Sequence, residues 1–248
     1  MGDTFAGRVA LITGAARGFG RATAEYFLAQ EAQVAVHVRT AERAQSLADE
    51  LGDSARAVWG DLTDPTAASS IVEQCLDQFE RLDILVNNAA AAYTTRFEQI
   101  TEDEWREALE VNLTAPFLLT RAALPQMRSQ DFGRIINVSS LAGRTVSTLG
   151  GAHYTASKTG LLGLTRAAAK ELGAYGITVN AVCPGLFDTE LTQESATKPQ
   201  LDAAQAGFPV ARLGRPEELA ALIGFLASEQ AGYISGASLD INGGDLMI

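Results

Sequence analysis

Tyr154 and Lys158 stand four residues apart in the stretch Tyr154-Thr155-Ala156-Ser157-Lys158. On a helix, that spacing puts both side chains on one face. A free phenol titrates near pH 10, too high for a general base at neutral pH. Bringing it to about 7 takes roughly 4 kcal/mol of differential stabilisation of the phenolate, and a nearby ammonium acts in that direction. Ser139-Ser140 ends an apolar run upstream. A hydroxyl on Ser140 there can hydrogen-bond a carbonyl oxygen beside the tyrosine, or simply cap the turn before Gly143.

A second group of residues points to a ligand. Val9-Ala10-Leu11-Ile12-Thr13 is an apolar run of strand length, and Gly14-Ala15-Ala16-Arg17-Gly18-Phe19-Gly20 follows it before a helical pattern. Strand, glycine turn and helix is the context of a dinucleotide-binding turn. Gly14 permits a tight turn. Gly18 lets the backbone approach a pyrophosphate, and the helix start near Gly20 aims N–H groups and a positive dipole end at that anion.

The cofactor's 2′ position is read from the end of the second strand, Val36-His37-Val38-Arg39-Thr40. An acid there would bind a ribose 2′-hydroxyl. Val38 stands near that place and Arg39 follows, and a guanidinium suits a 2′-phosphate. This favours NADP over NAD, with Arg17 expected to approach the same phosphate. The alternative is that Arg39 is a solvated loop arginine. Asp61-Leu62 follows the third strand, where the acid can accept from an adenine amino group or merely flank a helix. Asn87-Asn88-Ala89-Ala90 follows the fourth, with small residues that let backbone lie against a cofactor. Asn112 interrupts a helical pattern. Asparagine is a poor helix-interior residue, so it is either exposed or holding a local water.

These residues need a frame, and the pattern supplies one. Strands are expected at residues 8–13, 33–38, 56–59, 82–86, 133–138, 177–182 and 238–241. Helices are expected at 19–30, 41–51, 154–172 and 217–226, with a further one opened by Asp64-Pro65. A long helix follows a Thr101/Glu104 capping box and runs to Met127, kinked at Pro116. Residues 188–210 lack a clean pattern and read as an excursion over the substrate. Alternating strands and helices imply parallel pairing with right-handed crossovers. The expected fold is α/β, a single-domain Rossmann-type doubly wound parallel sheet. Ligands then bind beyond the carboxyl ends of the strands, where the informative residues fall.

Composition narrows the function. At 248 residues and 47% hydrophobic, the chain can bury one large core. A net charge of -11 argues against nucleic acid and anionic lipid. Lys158, Lys170 and Lys198 are the only lysines, so basic patches must come from arginine. Cys75 and Cys183, far apart in apolar patterns, read as buried thiols rather than a disulfide or metal motif, and His37 and His153 make no metal-ligand spacing. No metal is expected. The segment Met1-Gly2-Asp3-Thr4-Phe5-Ala6 carries no targeting or myristoylation pattern. With no apolar run of membrane-spanning length, a cytoplasmic location is expected.

Together these motifs resemble the short-chain dehydrogenase/reductase family over the whole chain. The turn Gly14-x-x-x-Gly18-x-Gly20 is similar to its cofactor motif, Asn87-Asn88-Ala89-Ala90 to its Asn-Asn-Ala-Gly, and Pro184-Gly185 with Thr189 to its later cofactor segment. Asn112, Ser140, Tyr154 and Lys158 fall at its catalytic tetrad. The resemblance implies Tyr154 as acid/base at a carbonyl or alcohol oxygen, with Lys158 lowering its pKa and holding the nicotinamide ribose. It implies Ser140 polarising the carbonyl and Asn112 holding a relay water through a local helix irregularity. The implied cofactor surface comprises Gly14, Arg17, Gly18, Phe19, Gly20, Arg39, Asp61, Leu62, Asn88, Ala89, Ala90, Tyr154, Lys158, Pro184, Gly185, Phe187 and Thr189. It also implies a homotetramer.

Two departures bear on the pocket. The segment from Ser140 to Tyr154 is one residue longer than in many relatives, so the loop 144–153 is expected to shape the site. Ala90 adds a methyl where cofactor would pack, tightening the fit. Arg212-Leu213-Gly214 and Asn242-Gly243-Gly244 resemble bacterial 3-oxoacyl-(acyl-carrier-protein) reductases. Those enzymes bind an acidic carrier through arginines, where this chain aligns Asp131 and Tyr175. A small free ketone or secondary alcohol is therefore the expected substrate. Leu141, Val146, Leu149, Leu186 and Phe187 suggest an apolar or aromatic one, unless they are packing. Two other classes stand beside this one. A non-catalytic dinucleotide sensor would need no activated phenol. A nucleotide-sugar epimerase or dehydratase is disfavoured by the short chain and the glycine spacing.

Overall fold

The computed structural model describes residues 4–147 and 150–248. Leu149 and the first three residues, Met1-Gly2-Asp3, lie outside the described residues. The described strands are β1 (Val9–Thr13), β2 (Gln33–Val38), β3 (Ala55–Trp59), β4 (Ile84–Asn87), β5 (Gly133–Val138), β6 (Ile177–Pro184) and β7 (Ser238–Ile241). They form one parallel sheet in the order β3-β2-β1-β4-β5-β6-β7. The order reverses direction between β1 and β4, and that switch point is where ligands of such sheets bind.

Successive side chains of β1 point to opposite faces. Ala10 and Ile12 enter one core with Phe27, Val36, Leu219 and Ile223. Val9 and Leu11 enter a second core with Ile71, Leu85, Leu119 and Met127. The first core packs under helices α1 (Gly18–Ala29), α2 (Ala41–Leu51) and, last in the chain, Pro216–Ala227; the second packs under α3 (Ala67–Phe79) and residues 115–129. Burial on both faces explains why the strands are near-continuously apolar. The expected doubly wound α/β fold is what forms.

Four local expectations change. Pro65 does not open α3. The Asp64 carboxylate instead accepts from the N–H and hydroxyl of Thr66, both at 2.8 Å, and the helix starts only at Ala67. The long helix is not one continuous α-helix. It is α4 (Glu102–Leu109), a π turn at Glu110–Thr114, then α5 (Ala115–Ser129). Pro116 sits in the first turn of α5, directly after the π turn.

The capping box is only half made. Thr101 Oγ1 accepts from Glu104 N at 3.2 Å, but the Glu104 carboxylate turns to His153. Finally, the excursion is not irregular. After α6 (Ala152–Leu172) and β6, it contains α7 (Glu190–Ser195) and α8 (Lys198–Ala206), ahead of α9 (Pro216–Ala227). Among the described residues, no helix is long and apolar enough to cross a membrane.

Candidate active site

The glycine turn is braced from β4. Thr13 Oγ1 accepts from Asn88 N at 2.9 Å and Ala89 N at 3.0 Å, and donates to Val86 O at 3.3 Å. Asn88 Nδ2 donates to the carbonyls of Thr13 (2.8 Å) and Gly14 (3.2 Å). The Asn88 amide is thus committed to holding the turn rather than reaching outward. Gly14 has φ +66° and Gly18 φ +54°, the left-handed region that glycine tolerates. A Cβ on Gly14 would lie 2.9 Å from Ala89 Cα, whereas one on Gly18 would meet nothing nearer than 3.7 Å. Backbone is packed behind Gly14, whereas in front of Gly18 the Thr189 side chain and the Glu190 carboxylate stand at contact distance. Arg17, at the N-cap of α1, makes no side-chain cap, and the helix's first turn holds no acid.

His37 is a part of this cradle that sequence reading missed. It is paired with Thr13 across the β1–β2 ladder. Its Nδ1 accepts from Gly14 N at 3.4 Å and its Nε2 donates to Gly60 O at 3.0 Å. Burial pushes its pKa down to about 4, so the ring stays neutral. The signal available was its register opposite the residue before the first glycine.

The two arginines do not converge on one phosphate position. Arg39 Nη2 lies 2.6 Å from Asp61 Oδ2 and the side chain is 72% exposed. Arg17 Nη1 pairs instead with Glu194 Oε1 on α7, at 2.6 Å. Arg39 and Asp61, expected to hold opposite ends of an adenosine, are thus each other's partners, since the β2–β3 pairing of Val38 with Trp59 brings their loops together. Leu62 packs its side chain against the second core.

Tyr154, Ser140, Lys158 and Asn112 do converge. The Ser140 side chain lies near enough to the Tyr154 phenol to draw its pKa down. Ser140 Oγ also accepts from Ala142 N at 3.1 Å, so the capping role and the tyrosine contact coexist. Lys158 Nζ lies 5.7 Å from the Tyr154 ring centroid and donates to Val138 O at 2.8 Å. Ser139 Oγ donates to the Lys158 carbonyl at 2.9 Å. Asn112 is fully buried rather than exposed. It sits in the π turn, accepts from Ala91 N (2.8 Å), and donates to Ala91 O (2.9 Å) and Ser157 Oγ (3.0 Å). Ser157 Oγ in turn donates to Tyr154 O at 2.9 Å. The helix irregularity expected at Asn112 is this π turn.

The electrostatics differ from expectation in one respect. Burial pushes the Tyr154 phenol above its ordinary value, and the Ser140 hydrogen bond pulls it part of the way back. The ammonium at 5.7 Å is itself costly to bury: Lys158, 2% exposed, is pushed down to about 8. That value carries a stability prediction. Between about pH 8 and 10.5 the unfolded chain holds the Lys158 proton that the folded chain has lost. Stability then rises with pH across that window. Relative to Lys158→Met, the wild type should gain up to about 3 kcal/mol between pH 8 and 10.5. Urea melts of both proteins at several pH values measure it. Parallel pH profiles for the two proteins would contradict it.

Several outer residues pack rather than line a pocket. Phe187 is buried, stacked edge-on against Phe19 at 5.1 Å and against Gly214. It therefore belongs to the first core, not to a substrate wall. Val146 and Ala90 are exposed. Pro184 ends β6. Gly185 is pressed against Asn242, whose Cβ would lie 2.8 Å from an added Cβ. Thr189 Oγ1 accepts from Thr192 N at 3.2 Å and caps α7. Gly18, Thr189, Glu190 and Glu194 border an open cleft of about 600 Å³ between α1 and α7.

A parallel doubly wound sheet with a glycine turn at its switch point, and a tyrosine–lysine–serine cluster beside it, defines a dinucleotide-dependent oxidoreductase. Residues 14–245 match the family model described as enoyl-(acyl carrier protein) reductase. The chain is 40% identical over 242 residues to 3-oxoacyl-(acyl-carrier-protein) reductase FabG of Vibrio cholerae, covering 98% of each. It is 38% identical over 245 residues to FabG of Salmonella typhimurium, covering 99% of this chain and 100% of that one. A solved structure, a blue fluorescent protein from a metagenomic library in complex with NADPH, superposes with a TM-score of 0.91. It is 34% identical and is matched over 98% of this chain and 100% of that one. The chain belongs to the short-chain dehydrogenase/reductase family, with the NAD(P)-dependent oxidoreductase chemistry on CH–OH and C=O groups that marks it.

Proposed function

We propose that the chain is an NADP-dependent reductase of a small ketone, or the dehydrogenase of the corresponding secondary alcohol, with Tyr154 as acid/base. The observation that carries this is the placement of Tyr154 and Lys158 on α6, with Lys158 Nζ 5.7 Å from the Tyr154 ring, beside Ser140 at the carboxyl end of β5. A bound nicotinamide supplies or accepts the hydride. Ser140 orients the carbonyl oxygen and Tyr154 protonates it as negative charge develops. Lys158 holds positive charge behind the phenol, and Asn112 fixes the helix register that presents both. The excursion 188–210 covers the substrate, its α7 tethered by the Arg17–Glu194 pair.

The NADP preference rests on Arg39, supported by an NADPH complex in the similar solved structure. An exposed pair such as Arg39–Asp61 contributes about 1 kcal/mol or less. A multiply charged 2′-phosphate competes with it readily. Replacing Arg39 with alanine should raise the KM for NADPH about tenfold to a hundredfold and leave that for NADH within about threefold. Equal effects on both cofactors would remove the argument.

The proposal includes a cytoplasmic homotetramer with no metal, nucleic-acid or membrane partner. Exposed Trp105, Phe117 and Tyr233 suit subunit contacts. Burial pushes the free Cys75 and Cys183 thiols up to about 12 and about 11, so both stay protonated.

A second reading is a thioester carried on an acidic protein. Its support is the identity to FabG together with Arg128, whose guanidinium lies 4.1 Å over the Tyr175 ring and puts positive charge at a position where tyrosine replaces arginine. Steady-state rates with NADPH and NADH against free ketones, acyl thioesters of small carriers and carrier-protein thioesters separate the two. A carrier-protein thioester far ahead of every free ketone would favour the second reading.

A further inference from the structure

His153 precedes Tyr154, and the site as described gives it no task. It is fully buried in the first turn of α6. Its Nδ1 accepts the backbone N–H of Tyr154 at 2.9 Å, and its Nε2 meets Glu104 Oε1 at 2.8 Å. A backbone N–H can only donate. Nδ1 must therefore carry a lone pair, and the proton sits on Nε2, donated to the carboxylate.

The Thr95 side chain and His153, Thr95 first, hold the same Glu104 carboxylate below the usual carboxylate range. Gly151 N donates to Tyr93 O at 2.8 Å, and the Tyr93 ring lies 5.6 Å from the imidazole. Gly151 leaves room for all this. A Cβ there would lie 2.5 Å from His153 Cε1 and 2.7 Å from Thr95 O. One imidazole thus joins three elements: the start of the helix bearing Tyr154, the segment 93–95 and α4.

We propose that His153, held by Glu104, is a positioning residue for Tyr154: its neutral ring caps the tyrosine's own amide and ties that end of α6 to the segment 93–95. Acting through Tyr154, the inference rests on the reading of that residue as acid/base. Without the cap, the first-turn amide of Tyr154 is an orphan donor, and the helix start is free to rotate the phenol away from Ser140. A small displacement of a reacting group is expensive in rate.

The two ring nitrogens can be tested separately. Asparagine places a carbonyl oxygen where Nδ1 stands, and glutamine places an amide nitrogen where Nε2 stands. His153→Asn should retain the Tyr154 cap and keep kcat within about threefold of wild type. His153→Gln should keep the Glu104 link, lose the cap, and lower kcat about tenfold. Cofactor Kd, read by fluorescence titration, should be unchanged in both. Nitrogen NMR reads the imidazole without turnover. The chain has two histidines, and the His153 signals are those missing from His153→Asn. At neutral pH they should show one protonated nitrogen, Nε2, and one bare nitrogen, Nδ1. An imidazolium with both nitrogens protonated would overturn the proposal, as would equal kcat in the Asn and Gln variants. Absence of turnover in the wild type on every substrate would count against the oxidoreductase assignment of Tyr154, while the NMR result would still decide the geometry of the cap.

Discussion

Tyr154→Phe should lower kcat by about a hundredfold to ten-thousandfold, the range expected when one positioned proton donor is lost. The cofactor Kd should change little, because the substitution removes one oxygen and leaves the glycine cradle intact. Ser140 draws the phenol's pKa down, and the Lys158 Nζ lies 5.7 Å from its ring. Burial alone raises its pKa, which suits a proton donor in the reductive direction more than a resting base. The expected profile is therefore a reduction rate that holds through neutral pH. It should fall as pH rises past the point where the buried Lys158, at about 8, loses its charge. Stopped-flow single turnovers of wild type and Tyr154→Phe measure the chemical step without product release. A Phe variant within threefold of wild type would remove the tyrosine from the mechanism.

The second large effect is structural. Gly20→Ala should reduce stability by about 1–3 kcal/mol, a fall of roughly 3–10 °C in Tm for a domain of this size, and should abolish dinucleotide binding. The added methyl would overlap the Gly14 carbonyl oxygen and lie 2.6 Å from Asn88 Nδ2. Neither neighbour can move freely, because Asn88 is bonded to the Thr13 and Gly14 carbonyls. The strain is relieved only by lifting α1 off the turn, which spoils the cradle. Gly18→Ala has space for its Cβ but a φ of +54°, and should destabilise less. Thermal melts with and without NADPH check both. A Gly20→Ala protein that melts and binds like wild type would contradict the packing argument.

The sheet was legible because its determinants are local. Strands β2, β5 and β7 and helix α2 fall on the residues that apolar periodicity indicates. The i, i+4 spacing placed Tyr154 and Lys158 on one helix, the end of the fifth strand placed Ser140, and the family resemblance joined Asn112 to them. What escaped depended on partners distant in the chain. Nothing near Glu104 says that its carboxylate prefers His153 to its own helix start. Nothing near Arg39 or Arg17 reveals Asp61 or Glu194. The π turn at Glu110–Thr114 adds one residue to a helical turn that amphipathic spacing alone does not resolve. Phe187 shows the limit of an apolar residue read as pocket: the same side chain fills the first core.

The central claim is hydride transfer between a nicotinamide and a carbonyl carbon, gated by Tyr154. The most direct test is incubation of the protein with NADPH deuterated at the nicotinamide C4 and a panel of small ketones, followed by mass analysis of the alcohols. The account predicts deuterium on the carbinol carbon of at least one product, and loss of that label with Tyr154→Phe. Alcohol formed without deuterium from either C4 face, or with equal labelling by the Phe variant, would contradict it.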